Sequence, residues 1–160
     1  MTQQDKEERY ERILPQIESL VNGETDLIAN MANVAAVLHE SFGFWWVGFY
    51  IVKPAAKADV RELVLGPFQG PVACTRIPFG RGVCGTAWQR GETVIVPNVH
   101  DFPGHIACSS ASKSEIVVPV RRGNEIIAVL DIDSAELDSF DATDQRYLER
   151  MVLSLVVTDD

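Results

Sequence analysis

A chain of 160 residues, 46% hydrophobic and 23% charged, has the size and balance of one soluble domain with a single core. Its formal charge of −9, from 14 basic and 23 acidic side chains, repels polyphosphate and argues against nucleic acid and anionic membrane, but not against a small zwitterion whose ammonium group seeks carboxylates. No run reaches the roughly 18 continuous apolar residues of a membrane helix, and the charged start MTQQDKEERYER lacks the apolar stretch of a signal peptide.

A cytoplasmic location is therefore expected. Reducing surroundings would disfavour permanent disulfides among Cys74, Cys84 and Cys108, and three cysteines leave one over from any pairing.

In chain order, Asp5 to Val21 has helical spacing (Ile13, Ile17, Leu20), with Pro15 expected to kink or divide it. From Thr25 to Phe42 the residues Leu27, Ile28, Met31, Val34, Ala35 and Leu38 recur at i, i+3, i+4 and i+7, an amphipathic helix closed by Gly43. The segments Trp45–Val52, Glu62–Phe68, Ala73–Phe79, Thr93–Val99, Glu115–Val120 and Glu125–Asp133 then read as short strands. They are rich in β-branched or aromatic residues and parted by Gly, Pro and Asn turns. A short helix fits Val83–Arg90 between Gly82 and Gly91. A last one fits Asp141–Val157, with Asp141 as N-cap and Tyr147, Leu148, Met151, Val152 and Leu155 facing inward.

Helices at both ends around about six strands predict an α+β domain, and the RRGNE hairpin (Arg121–Glu125) makes the sheet antiparallel at least in part. Residues 1–160 read as one domain: a helical segment over about 1–42, sheet and loops over about 45–134, and a final helix over about 141–157.

Several residues carry chemistry. Cys74 sits in an apolar strand, where a cysteine is as readily core filler as a reactive thiol. Cys84, in GRGVCG, falls in the first turn of a helix, where unpaired N–H groups and nearby Arg81 would favour its thiolate. Cys108 follows PGHIA in a loop of small residues, accessible as a nucleophile must be, with His105 and Lys113 close in sequence. His100, His105, Cys108 and Cys84 are acceptable zinc ligands, but there is no CxxC pair and Pro103 interrupts the histidine loop, so a zinc knuckle is disfavoured.

Asp131 and Asp133 lie two apart in VLDIDS and so share one strand face. Two like charges there require a cation between them or a retained proton; a solvated strand end and a divalent metal are the competing explanations. Glu115, at the start of a strand, would be half desolvated and able to hold a proton near neutral pH, or else would face water from a turn. In WWVGFY, Trp46 and Tyr50 share a face. They are either core or the walls of a pocket, with Gly48 opening space between them.

The segments WVGFY, ACTRIPFGRGVCGTA, VHDFPGHIAC, SEIVVPV and VLDIDS, in this order over Trp46 to Asp144, resemble the free methionine-(R)-sulfoxide reductases, single-domain enzymes with the GAF fold. The resemblance implies reduction of free methionine (R)-sulfoxide, with Cys108 as nucleophile, Cys84 resolving its sulfenic acid and Cys74 as an auxiliary recycling thiol. It places Glu115, Asp131 and Asp133 around the substrate and Trp46 and Tyr50 at its methyl-sulfoxide end. The preference for one epimer comes from the resemblance alone.

This chemistry needs a nucleophilic Cys, an acid and a second Cys, but no metal and no organic cofactor. Thioredoxin is the expected external reductant, and a homodimer is left open. A GAF module that only senses a small ligand or redox state is the alternative. Ser109 stands where the family pattern has an acidic residue after HIAC, which touches only local loop charge. Three carboxylates would raise the pKa of Cys108, so a bound ammonium and one retained proton are expected to relieve them.

Overall fold

The computed structural model describes residues 1–57, 59–104 and 111–156. Two helices open the chain, α1 (Gln3–Val21) and α2 (Leu27–Phe42). Thr2 and Asp5 form a reciprocal capping box at the start of α1. Its inner face buries Tyr10, Ile13, Leu14, Ile17 and Val21. The expected break at Pro15 does not occur, and the helix runs through it. Pro15 and Glu11, whose carbonyl loses its N–H donor to the proline, both lie on the exposed side, where the missing bond is cheapest. Asp26 caps α2 by accepting from the Ala29 N–H, and Gly43 ends it in the left-handed conformation (φ 68°).

Six strands follow: β1 (Trp46–Pro54), β2 (Arg61–Gln69), β3 (Arg76–Pro78), β4 (Val94–Val96), β5 (Ser114–Arg122) and β6 (Glu125–Ser134). They form one sheet in the order β3-β2-β1-β6-β5-β4, and each neighbouring pair is antiparallel. The two edge strands are shorter than their sequence patterns suggest. At β3 the ladder closes at Pro78 before the turn at Gly80, and at β4 Pro97 removes the next donor. A short 3-10 turn (Val99–Asp101) then leads away. Three-residue edges offer little template for pairing with another chain.

Alternation along the strands gives the sheet two apolar faces. Val47 and Phe49 of β1, Ile116, Val118 and Val120 of β5, and Ala128, Leu130 and Ile132 of β6 pack against α1, α2 and the last helix, α4 (Ala142–Leu155). Trp46, Tyr50, Val117 and Val129 face the other way, toward α3 (Gly82–Arg90). Gly85 allows α3 to dock closely, since a Cβ there would lie 2.8 Å from the Pro78 carbonyl oxygen. Among the described residues no helix is long and apolar enough to cross a membrane.

Asp144 ties the chain ends together. Buried on α4, it accepts from the Tyr10 hydroxyl (2.6 Å) and Lys6 Nζ (2.7 Å) of α1, and from the Asp141 N–H (2.9 Å) at its own helix cap. Removing it strands a buried phenol and leaves the largely covered Lys6 ammonium with only the Asp141 carboxylate and the Ser139 carbonyl. Asp144→Ala is therefore expected to lose roughly 3 kcal/mol, about 6–12 °C in thermal midpoint. A shift under about 2 °C would show that α1 and α4 are held by apolar packing alone.

Candidate active site

The register of three central strands sets out the site. Asp133 of β6 stands between Trp46 of β1 on one side and Glu115 of β5 on the other. One step along, Asp131 stands between Gly48 and Val117. The alternation that sends Leu130 and Ile132 into the helix-side core therefore sends both aspartates to the opposite face, side by side with Glu115. Helix α3 covers this row and brings in Cys84. Trp46, Tyr50, Arg81, Cys84, Ser112, Glu115, Asp131 and Asp133 all line one pocket, with Val72, Ala73 and Trp45 at its wall.

The floor is dry. Cys84 is 4% exposed, and Glu115 and Asp131 are each 6% exposed. Burial, then Asp131 and Asp133, pushes the Glu115 carboxyl well above the usual range. Asp133 is likewise raised well above it, by burial and then Asp131, although hydrogen bonds from Ser112 (3.1 Å) and Glu115 partly offset this. Asp131 is raised by burial and relieved by hydrogen bonds from Glu115 and Cys84. The cluster thus holds protons on Glu115 and Cys84 and uses Asp131 as their common acceptor. One oxygen of Asp131, Oδ1, is buried with no hydrogen-bond partner among the described residues. Arg81 is the sole basic side chain among the described pocket residues, and it is exposed.

The thiolate expected at Cys84 is not favoured. Its thiol is pushed up by burial, then by Asp131, Glu115 and Asp133, and it donates to Asp131. A helix terminus contributes a fraction of a charge, and three carboxyl groups in a dry volume outweigh it.

Trp46 and Tyr50 both line the pocket and stack at 6.0 Å between centroids. Gly48 does not leave open space between them, as its position suggested. The Trp46 indole fills that space, and a Cβ on Gly48 would lie 2.5 Å from its ring. Phe68 also stacks on the indole (5.3 Å), held across from Gly48 next to a bulge in β2, and Trp46 Nε1 donates to the Pro71 carbonyl (3.0 Å). Tyr50 is raised by burial and then Asp131, and its hydroxyl donates to the Cys74 carbonyl (2.9 Å).

Of the predicted site residues, the structure brings together Cys84, Glu115, Asp131, Asp133, Trp46 and Tyr50. Glu115 is fully rather than half desolvated. Cys74 adjoins the pocket-lining Ala73, is half-buried, and is disulfide-bonded, whereas Cys84 is a free thiol. Cys108 and His105 lie outside the described residues, and His100 is exposed in the 3-10 turn. The zinc argument from histidine spacing missed a different grouping: one ligand atom each from Cys84, Glu115 and Asp131 lie within 4.8 Å of one another. Ser112 escaped notice because its hydroxyl acquires a role only when the loop folds beside β6.

Comparisons with known proteins show the family. The GAF domain family model matches residues 23–155. A GAF domain-containing protein A of Dictyostelium discoideum is 60% identical, covering 92% of this chain and 90% of its own. The free methionine-R-sulfoxide reductase of Escherichia coli is 45% identical, covering 94% and 88%. A crystal structure of free methionine-R-sulfoxide reductase from Neisseria meningitidis in complex with its substrate superposes with a TM-score of 0.85 at 59% identity, covering 91% of this chain and 85% of that one.

Groups with raised pKa values contribute stability that is complete below their unfolded values and is lost as pH rises through the folded ones. Glutamine keeps the donor that Glu115 must otherwise hold as a proton. Glu115→Gln is therefore expected to match the parent in thermal midpoint near about pH 4.5 and to exceed it by about 3 °C or more near about pH 8. A difference that does not change with pH would mean that Glu115 ionises freely.

Proposed function

The chain belongs to the GAF-domain free methionine-R-sulfoxide reductases, and from that footing we propose that it reduces free L-methionine (R)-sulfoxide to methionine with Cys108 as nucleophile. The observation that carries this reading is the buried carboxyl cluster under the Trp46–Tyr50 wall. It combines a held proton with an acceptor oxygen that lacks a hydrogen-bond partner among the described residues. A zwitterionic sulfoxide needs both.

In this reading the substrate ammonium lies against Asp131 and Asp133, and the methyl-sulfoxide end meets Trp46 and Tyr50. The Cys108 thiolate attacks the sulfoxide sulfur while Glu115 gives its proton to the sulfoxide oxygen, and the hydroxyl so formed passes to the Cys108 sulfur as the bond between the two sulfurs breaks. Methionine leaves, and Cys108 carries a sulfenic acid. A second cysteine then attacks that sulfur, forming a disulfide and releasing water. Thioredoxin restores the two thiols at the expense of its own.

Sequence resemblance gives the resolving step to Cys84, but its enclosure and raised pKa oppose this, since attack on a sulfenic acid calls for a thiolate. Cys74, half-buried beside the pocket wall and already in a disulfide, meets the requirement better. We therefore assign it the first disulfide and leave Cys84 in the pocket floor.

A thioredoxin-coupled assay tests this. The protein should consume NADPH with the free (R) epimer and lose at least about 100-fold in kcat/KM with its N-acetyl derivative, which lacks the ammonium. Equal rates on both, or none on either, would remove the proposed substrate. Cys108→Ser should be inactive even with a strong chemical thiol. Cys74→Ser should keep single-turnover methionine formation but slow coupled turnover about tenfold or more, whereas the reverse pattern in Cys84→Ser would return the resolving role to Cys84. Since Glu115 must be protonated to act, kcat should fall as pH rises through its raised pKa. Glu115→Gln should lower kcat and abolish that limb; an intact limb would place the acid elsewhere.

A further inference from the structure

We propose that Cys84, Glu115 and Asp131 also form a binding site for a thiophilic divalent cation of the zinc class, and that the ion excludes the amino-acid substrate. The three ligand atoms come from three different elements, α3, β5 and β6, and lie within 4.8 Å of one another. Zinc holds sulfur and oxygen at about 2.0–2.3 Å, which places tetrahedral ligands roughly 3.3–3.8 Å apart. The ligand atoms need to draw in by no more than roughly 1.5 Å to meet that spacing.

A second observation points to a ligand here. Asp131, more than nine-tenths buried, holds one carboxylate oxygen, Oδ1, buried with no hydrogen-bond partner among the described residues. Buried carboxylate oxygens are otherwise nearly always satisfied. A cation would satisfy this one while neutralising the group.

The donor set selects the ion. One sulfur and two carboxylate oxygens suit zinc or cadmium, whereas magnesium and calcium require six or more oxygens. Three protein ligands leave a fourth position open, and all three line the pocket that Trp46 and Ser112 also line. That cluster is where the proposed function seats the substrate ammonium. The exclusion of substrate rests on that reading; the ion site itself does not.

The test uses reduced, chelator-washed full-length protein carrying Cys74→Ser and Cys108→Ser, so that Cys84 is the only thiol. Titration with Cd²⁺ should raise a sulfur-to-cadmium charge-transfer band in the ultraviolet that saturates at one equivalent and is not displaced by Mg²⁺. Further substitution Cys84→Ser should abolish the band. Glu115→Gln and Asp131→Asn, each confirmed folded by its melting transition, should each weaken the Kd at least about tenfold. A band that survives Cys84→Ser, a Kd unmoved by both carboxyl variants, or displacement by Mg²⁺ would overturn the site. In the parent protein, free methionine should raise the apparent Kd for Cd²⁺. If cadmium binds as described but methionine does not compete, the ion site stands and the seat given to the ammonium is wrong.

Discussion

Three carboxyl groups and a thiol crowd one sheet face, with Glu115, Asp131 and Cys84 buried and Asp133 half-buried, and that arrangement is tolerable only if they share protons or meet a cation. Burying an isolated carboxylate costs several kcal/mol even after the protein relaxes. The cluster avoids most of this by keeping protons on Glu115 and Cys84 and aiming both at Asp131, while Ser112 attends to Asp133. The residual tension, on Asp133 and on the free oxygen of Asp131, is what gives the pocket its appetite for positive charge.

So strained a face depends on a firm opposite face. The helix-side core runs from Tyr10 and Ile17 through Phe49, Ile116, Leu130 and Ile132 to Leu148 and Met151, all fully buried. It fixes the register of β1, β6 and β5. A one-residue slip would turn Asp131 and Asp133 into that core and bring Leu130 and Ile132 into the pocket. The helix core and the acidic pocket are thus two readings of the same alternation. Asp144, joining α1 to α4, closes the layer that holds the register.

Much of this was legible in the chain. The period-2 pattern of IIAVLDIDS fixed the face that its aspartates share, and Gly43, Gly91 and Asp141 marked helix ends where the structure has them. What misled were local rules that tertiary context overrode. Pro15 is compatible with a helix when its unbonded carbonyl faces solvent. The helix N-terminus at Cys84 reads as an activator until the three acids, distant in sequence, arrive beside it. Gly48 looks like a vacancy, and only the folded chain shows the indole of Trp46 filling it. The trio Cys84, Glu115 and Asp131 was invisible for the same reason. Ligand spacing is readable within one segment, whereas this trio is assembled by α3 docking across two strands.

A bound ammonium and a bound metal ion satisfy the same carboxylates, yet they differ in what they ask of the thiol. An ammonium requires only oxygen acceptors, and Asp131 and Asp133 supply those without Cys84. A buried thiol that donates to Asp131 eases the ionisation of that group, but as a donor it offers nothing to an ammonium. A divalent ion, by contrast, gains its strongest bond from that sulfur. In the proposed reading the carboxyl groups account for selection of a free amino acid, and the thiol beneath them for sensitivity to soft cations: one pocket floor whose charge would be neutralised in one case by the substrate and in the other by its competitor.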